Sequence, residues 1–582
     1  MNNLKKVQSL LKNSNVHAFI FPRTDEFLSE YIAPYAERVK WISNFSGSSG
    51  KIIVMQKKAV VFVDGRYTIQ AKKEINLNYF SIEHISTFYK WLQNNLKKNF
   101  TVGLDPNHHS KNDIELIKKI TDKKNIKIVF FEKNPVDQVW KNRPIRPTSK
   151  VFQHKLKYSG KSVKEKLSEI QSIILSKKCD YYILNALDSI AWLLNLRGND
   201  ILYTPLNFAY VIITKNKKIE LFIDEKKIQN LKKQLNLFSN LHPLLSVKSF
   251  LKNLKPKTTI GIDKIRTPIV FEEICLKNNL NITYIQDPCI DLKAQKNDNE
   301  IQGARRANIR DSISVTKFLF WLKNIMKINK TDEIKAAKKL FDLRKKNDLF
   351  YSSSFETISA IDNHAALPHY RVDTKSNLSF KKNSIYLFDS GAQYLDGTTD
   401  ITRTITIGKP SKEHKDRFTR VLKGHIAIAT CIYKQGTKGS SLDSLARKSL
   451  QKIGCDYDHG TGHGVGSFLS VHEGPQRIAK YTESEIKEGM IVSNEPGYYK
   501  KGKYGIRIEN LLITKKKSRT HLFFETISWA PIDIELIEVS LLNLQELKWI
   551  NWYHKEVFNK ISKKLNVKET LWLKKITRTI KK

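Results

Sequence analysis

The chain has 582 residues, 40% of them hydrophobic, too many for a single core, so three or four domains are expected. Lys and Arg number 101 against 57 Asp and Glu, a net charge of +44, but the lysines are scattered with no aromatic-interleaved basic motif, zinc finger or helix-turn-helix signature, so no specific nucleic-acid partner is expected. Five widely spaced cysteines argue against a disulfide framework and for reduced thiols in the cytoplasm, and no run of about eighteen apolar residues is available to cross a membrane.

Residues 1–12 set Leu4, Val7, Leu10 and Leu11 at helical spacing between lysines, without the continuous apolar run of a secretory signal. The first half of the chain then repeats itself. Val7-Gln-Ser-Leu-Leu begins a helix that leads into the strand Val16-His-Ala-Phe-Ile-Phe21. Ile170-Gln-Ser-Ile-Ile begins another that leads into Asp180-Tyr-Tyr-Ile-Leu184, at an offset of 163 (170 − 7). Val102-Gly-Leu-Asp105 is echoed by Ile260-Gly-Ile-Asp263 at an offset of 158 (260 − 102). Two similar α/β domains in tandem follow, 1–146 and 147–297, joined by the proline-punctuated Arg143-Pro-Ile-Arg-Pro147.

In the first of these, strands are predicted over 51–56, 59–64, 101–104 and 126–131. Asp64-Gly-Arg66-Tyr67 follows a Ser/Gly-rich stretch at 46–50 that reads as a turn. In the second, 208–214 and 218–223 flank a turn at 215–217 and read as a hairpin. Residues 188–198 read as a packed helix with Arg197 at its end, where a cation suits the dipole.

From residue 298 the pattern changes. Helices are predicted over 300–323 and 333–346, opening a third domain, 298–520. The apolar run Ile385-Tyr-Leu-Phe-Asp389 and the β-branched run Asp400-Ile-Thr-Arg-Thr-Ile-Thr-Ile407 read as a hairpin folding about Tyr394 and Leu395. That fold would bring Asp389 and Asp400 roughly opposite each other. Two carboxylates facing each other repel, and the pairing makes sense with a cation between them. Helices at 413–433 and 442–453 follow, then the glycine-rich loop His459-Gly-Thr-Gly-His463-Gly-Val-Gly. A second hairpin, Met490-Ile-Val-Ser-Asn-Glu495 and Ile506-Arg-Ile-Glu509, sets its two glutamates equidistant from Gly502. The tail 521–582 carries an amphipathic aromatic helix, 544–561, expected to pack on its own domain or, more in favour, on a partner subunit.

Asp389, Asp400, His463, Glu495 and Glu509 together make an oxygen-rich ligand set whose four negative charges match two divalent cations. In that order they resemble the five ligands of the pita-bread metallopeptidases, which include methionine aminopeptidase, prolidase and aminopeptidase P. Asp389-Ser-Gly-Ala-Gln-Tyr, Asp396-Gly-Thr-Thr-Asp400, the His459 loop, Val471-His472-Glu-Gly-Pro475, Glu495-Pro-Gly-Tyr-Tyr and His369-Tyr resemble the long, three-domain aminopeptidase P (Xaa-Pro aminopeptidase). That resemblance implies two creatinase-like α/β domains followed by a pita-bread catalytic domain. It implies an exopeptidase that removes an N-terminal residue ahead of proline by way of a hydroxide bridging two metal ions. In that scheme Asp400 and Glu509 bridge, Asp389 serves one ion, and His463 and Glu495 serve the other. Glu495 also acts as general base. His459 and His472 hold the substrate carbonyl and shuttle protons, His369 lies near the proline pocket, and Arg66 contacts the peptide. Manganese is the usual metal of such enzymes; ligand type leaves cobalt, iron and zinc open. A homodimer is implied. Residues 361–364, Ile-Asp-Asn-His, depart from the pattern, which would have at least one glycine there. The competing readings are a prolidase confined to Xaa-Pro dipeptides and a non-catalytic pita-bread binding module.

Overall fold

The computed structural model describes residues 2–215, 218–325 and 331–582. Asn216 and Lys217 of the turn expected at 215–217 lie outside the described residues. The chain divides into two compact units, Met1–His154 with Lys161–Ile290, and Lys155–Gly160 with Asp291–Lys582. Among the described residues no helix is long and apolar enough to cross a membrane.

The first unit carries the duplication read from the sequence. Its first sheet has the strand order Phe80–His84, Ala59–Val63, Gly50–Met55, Ala18–Pro22, Thr101–Leu104, Lys127–Phe130. Its second has the order Ser239–His242, Ile219–Ile223, Ala209–Thr214, Tyr181–Leu184, Thr259–Ile262, Asn281–Tyr284. In each, the first strand in the chain lies fourth in the sheet, antiparallel to one neighbour and parallel to the other. Both faces of the first sheet are buried, which is why its strands are apolar at successive positions instead of alternating. Phe19 and Phe21 join one core, Ala18 and Ile20 the other, as the two-residue side-chain period requires.

The helix predicted over 188–198 is shorter, Leu187–Leu193, because Asn195 takes a left-handed φ of 50° and ends it. Arg197 instead sits fully buried in the short strand Leu196–Arg197, where its Nη1 donates to the carbonyl of Ala191 at 2.7 Å, near the end of that helix.

The second unit opens with the helices Asp298–Ile325 and Glu333–Arg344. A three-stranded sheet then runs Ile358–Ile361, Ser384–Ser390, Ile401–Ile407. A six-stranded sheet runs Ile432–Lys434, His521–Thr526, Asn510–Lys516, Ile491–Asn494, Gly462–Gly464, Glu473–Ile478. The helix predicted over 413–433 stops at Ala429. Tyr433 belongs to the edge strand Ile432–Lys434 and pairs with Leu522, a long-range partner that helical periodicity cannot reveal. The tail helix spans Leu544–Ile561 as read, but its apolar face is spent inside the chain. Trp549, Ile550, Tyr553, Val557 and Ile561 share one core with Phe418 and Leu422 and with Ile506 and Ile508 of the second hairpin. Burial of such side chains stabilises by about 1.5–3 kcal/mol each, which fixes the helix to its own domain and corrects the expectation that this face covers a partner.

Candidate metal centre

The two hairpins differ in how they hold their carboxylates. In the second, Ile491 pairs with Ile513 and Asn494 with Asn510, and beyond them Gly497 pairs with Arg507. All these pairs are symmetric about Gly502, which turns at φ 70°, so Glu495 and Glu509 fall directly across from each other. In the first, Tyr394 pairs with Gly397 and Asp389 with Thr402, so the turn is Leu395-Asp396 and not Tyr394-Leu395. Asp389 therefore faces Thr402, and Asp400 lies two residues along on the same face, a diagonal neighbour. The shift has a visible cause. Asp396 is buried at the turn and gripped by Arg310, with Arg306 Nε at 3.5 Å, both on the long helix Asp298–Ile325.

The two hairpins meet where the Glu509 N–H donates to Thr402 O at 3.1 Å. Ligand atoms of Asp400, His463 and Glu509 all lie within 4.8 Å of one another. His463 Nε2 is 3.5 Å from Asp400 Oδ2 and 3.5 Å from Glu495 Oε1. Its Nδ1 lies 2.9 Å from the Gly464 carbonyl, which can only accept; Nδ1 therefore carries the proton and Nε2 offers a lone pair to the carboxylates. Thr402 Oγ1 donates to Glu509 Oε2 at 2.8 Å, and Ser493 Oγ donates to Glu495 Oε1 at 3.3 Å.

Asp389, Asp400 and Glu509 are buried, and one oxygen each of Asp389 and Asp400 has no hydrogen-bond partner. Burial, then the neighbouring carboxylates, push Asp400 and Glu509 well above the ordinary carboxylate range. Four clustered carboxylates against one guanidinium, that of Arg507, leave a buried negative surplus of three formal charges. Orphaned oxygens, a free imidazole lone pair and that surplus together fit divalent cations.

Sequence reasoning passed over Arg507, which joins the site's parts. It is buried, with Nη2 donating to Asp389 Oδ2 at 2.7 Å and to Pro368 O at 3.2 Å, Nε to Thr402 Oγ1 at 3.2 Å, and Nη1 to Tyr499 OH at 2.5 Å. Tyr499 OH in turn meets His459 Nε2 at 2.8 Å, and burial pushes that phenol up to about 12. The available signal was the period of two: Arg507 shares a strand face with Glu509. Arg403, on the opposite face from Thr402 and Thr404, is also buried. It donates to Thr402 O, Glu509 O, Asn510 Oδ1, Ala530 O, Pro531 O and Tyr553 OH at 2.6 to 3.1 Å, tying both hairpins to the tail helix.

The predicted histidines fall as follows. His472 stacks edge-on against His463, ring centroids 4.4 Å apart. His459 packs against Tyr457 and Tyr499. His369 is half-buried and follows Pro368, whose carbonyl Arg507 holds. Its loop is anchored by fully buried Glu333, which accepts from Ile361 N at 2.9 Å, Leu378 N at 3.0 Å and Tyr370 OH at 3.2 Å, with His364 Nδ1 at 2.9 Å. The glycine expected in 361–364 is replaced by Asp362 at a left-handed φ of 47°. Its carboxylate accepts from Ser384 Oγ at 2.8 Å and Ile385 N at 2.9 Å, two bonds that offset the cost of that backbone. Arg66 belongs to the first unit, where Asp64 holds its guanidinium, Nη2 to Oδ2 at 2.5 Å.

Family models match at residues 3–131 and 142–300 (creatinase/prolidase N-terminal domain), 302–516 (metallopeptidase family M24) and 520–580 (C-terminal region of peptidase M24). A Paracoccidioides brasiliensis (strain Pb03) protein named "Probable Xaa-Pro aminopeptidase P" is 40% identical over 99% of this chain and 98% of its own. The solved X-prolyl aminopeptidase of Caenorhabditis elegans, described as a cytosolic enzyme with a di-nuclear active site, is 34% identical. It superposes with a TM-score of 0.95 over 99% of both chains. The solved prolidase of Pyrococcus horikoshii OT3 is 25% identical with a TM-score of 0.51, spanning 64% of this chain and 99% of its own.

Proposed function

Because the chain belongs to the Xaa-Pro aminopeptidase P branch of metallopeptidase family M24, with two creatinase/prolidase N-terminal domains ahead of a pita-bread catalytic domain, we propose that it removes the N-terminal residue from peptides whose second residue is proline. The observation that carries this reading is the buried, cation-deficient cluster of Asp389, Asp400, His463, Glu495 and Glu509. These five would hold two divalent ions, and we take manganese as the resident metal, a choice in keeping with a set of carboxylates and one imidazole. Bound there, the ions would polarise the scissile carbonyl and acidify water. Glu495, the least buried carboxylate of the cluster, accepts the proton of the attacking water. His472 and His459 hold the substrate carbonyl and return a proton to the leaving imino nitrogen. His369, on the loop anchored by Glu333, lines the proline pocket, and Arg66 contacts the peptide.

The division 1–146, 147–297, 298–520 and 521–582 is retained as the domain scheme. A homodimer is supported by exposed Leu544, Trp552, Val567 and Leu571 on the C-terminal helices. A cytoplasmic location is supported by five free cysteines, three of them buried.

The test is release of arginine from Arg-Pro-Pro with and without added manganese, Asp400→Asn serving as the control. Cleavage of Arg-Pro with no cleavage of the tripeptide would make the enzyme a prolidase. No metal-stimulated hydrolysis of either would leave a binding module.

A further inference from the structure

Within the first unit a polar cavity of about 250 Å³ lies between the two tandem α/β domains. It is just below the range usual for drug-sized ligands and suits a small one. Arg38, Arg143 and Arg146 line it from the first domain, Lys248 from the second. Arg38 is 5% exposed and spends Nε and Nη2 on the two oxygens of Asp137, at 2.8 and 2.9 Å; its Nη1 is buried without an acceptor. Arg143 Nη1 shares that carboxylate at 2.7 Å, so two guanidiniums divide one negative charge. Arg146 pairs with Glu26, which also accepts from Tyr35 OH at 3.0 Å, and the Arg146 Nε is a second buried donor without an acceptor. Lys248 Nζ meets only a neutral amide oxygen, that of Asn107, at 2.7 Å.

The charges do not close. Three arginines and one lysine face Asp137, Glu26 and Asp105, a surplus of one positive charge (4 − 3). Asp105 also meets His108 Nδ1 at 3.1 Å and accepts from Asn134 Nδ2 at 2.9 Å, and exposed Glu132 and Lys133 cancel. Burial lowers Arg143, and the neighbouring Arg38 lowers it further; burial likewise lowers Lys248. Each would be relieved by an added negative charge. Guanidinium forks present the paired donors that oxyanions accept, and here they are held rigidly on a shared carboxylate and over the Tyr35 ring.

We propose that this interdomain cavity is a binding site for a small tetrahedral dianion, the phosphate or sulfate group of a low-molecular-weight compound, held by Arg38, Arg143 and Lys248. A ligand there would bridge the two α/β domains, since its lysine and its arginines come from different copies of the duplication.

The test is calorimetric titration of the full-length, metal-loaded protein with inorganic sulfate, then with methyl phosphate, at ionic strength held constant with chloride. Saturable binding of one dianion per chain is expected. Lys248→Met and Arg143→Met should each weaken it at least tenfold while leaving peptide hydrolysis unchanged, and Asp400→Asn should leave it intact. A crystal soaked in selenate should show its anomalous peak among these three side chains. Binding that does not saturate, that survives both variants, or that is lost in Asp400→Asn would overturn the assignment. The first two outcomes would reduce it to nonspecific attraction by a chain of charge +44, and the third would move the anion to the metal centre.

Discussion

Replacing Asp400 by Asn should change stability in opposite directions with and without metal. The Asp400 carboxylate is 4% exposed, has one oxygen without a partner, and approaches a Glu509 oxygen within 4.8 Å. Two unit charges at that distance repel by roughly 3.5 kcal/mol at an effective dielectric constant of about 20 (332/(20 × 4.8)). Partial protonation relieves some of this, since burial and its neighbours push Asp400 well above the carboxylate range. Chelator-stripped Asp400→Asn should therefore be more stable than stripped wild type by about 1–3 kcal/mol at pH 7. The sign follows from linkage. A carboxyl group raised on folding takes its proton first in the folded state, so it costs stability at pH values above its folded pKa, and stripped wild type regains that stability as pH falls toward the unfolded value. The variant should show a weaker pH dependence, since Glu509, also pushed up by burial, remains. With manganese the order reverses, because wild type gains RT ln(1 + [M]/Kd) and the variant loses most of that gain. Urea unfolding should follow the transition that manganese shifts in wild type, because a two-unit chain is not expected to unfold in one step. The reasoning fails if the stripped variant is less stable than stripped wild type by more than about 1 kcal/mol, or if manganese stabilises both equally.

Three further outcomes are expected. Tyr553→Phe removes the hydroxyl that accepts from Arg403 at 2.8 Å and donates to Ala530 O at 2.8 Å; it should cost about 1–3 kcal/mol in urea unfolding and weaken manganese binding several-fold, and unchanged metal affinity would sever the tail helix from the site. Gly505→Ala would set a Cβ 1.8 Å from the Ala365 carbonyl, displacing the loop that carries His369; KM for Xaa-Pro-Yaa peptides should rise with metal content unchanged, and wild-type kinetics would show that the loop yields freely. His554 is fully buried and burial lowers it to about 3, so its unfolded form takes up a proton below about pH 6.5 while the folded form does not, and stability falls as pH falls through that window. By pH 5 this amounts to about 2 kcal/mol (1.36 × 1.5), and a His554→Gln curve should be flatter by that much between pH 7 and 5; parallel curves would rule the residue out.

Why the second hairpin was legible in detail and the first only in outline comes down to their turns. Gly502 announces its position by needing φ 70°, and Glu495 and Glu509 follow by counting. The first turn carries Asp396-Gly397, but its placement depends on Arg310 and Arg306 reaching Asp396 from a helix some ninety positions earlier, a contact no local pattern encodes. The one-residue error in the turn became a two-residue error in the pairing. It did no harm to the site, because a shift of two keeps a side chain on the same face of a strand.

Arg403 and Arg507, the buried arginines of the two hairpins, pose a harder problem. Each sits in a strand of β-branched and apolar residues, Ile401-Thr-Arg-Thr-Ile and Tyr504-Gly-Ile-Arg, where an arginine reads as the solvent-facing position. Arg507 is buried because the carboxylate cluster needs a counter-charge, and its Asp389 contact supplies one. Arg403 has no carboxylate in contact and is held by six neutral acceptors, two of them the carbonyls of Thr402 and Glu509. Burying a guanidinium that way is costly unless every donor is used, and Nε, Nη1 and Nη2 all are. The arrangement requires Tyr553 and the carbonyls of Ala530 and Pro531, all contributed by the chain that follows the second hairpin. Amphipathicity of the helix Leu544–Ile561 could say that one face is covered but not by what. The partner was written in the third residue after Asp400, which is why the tail and the strands that carry the carboxylate cluster should lose stability together when either is disturbed.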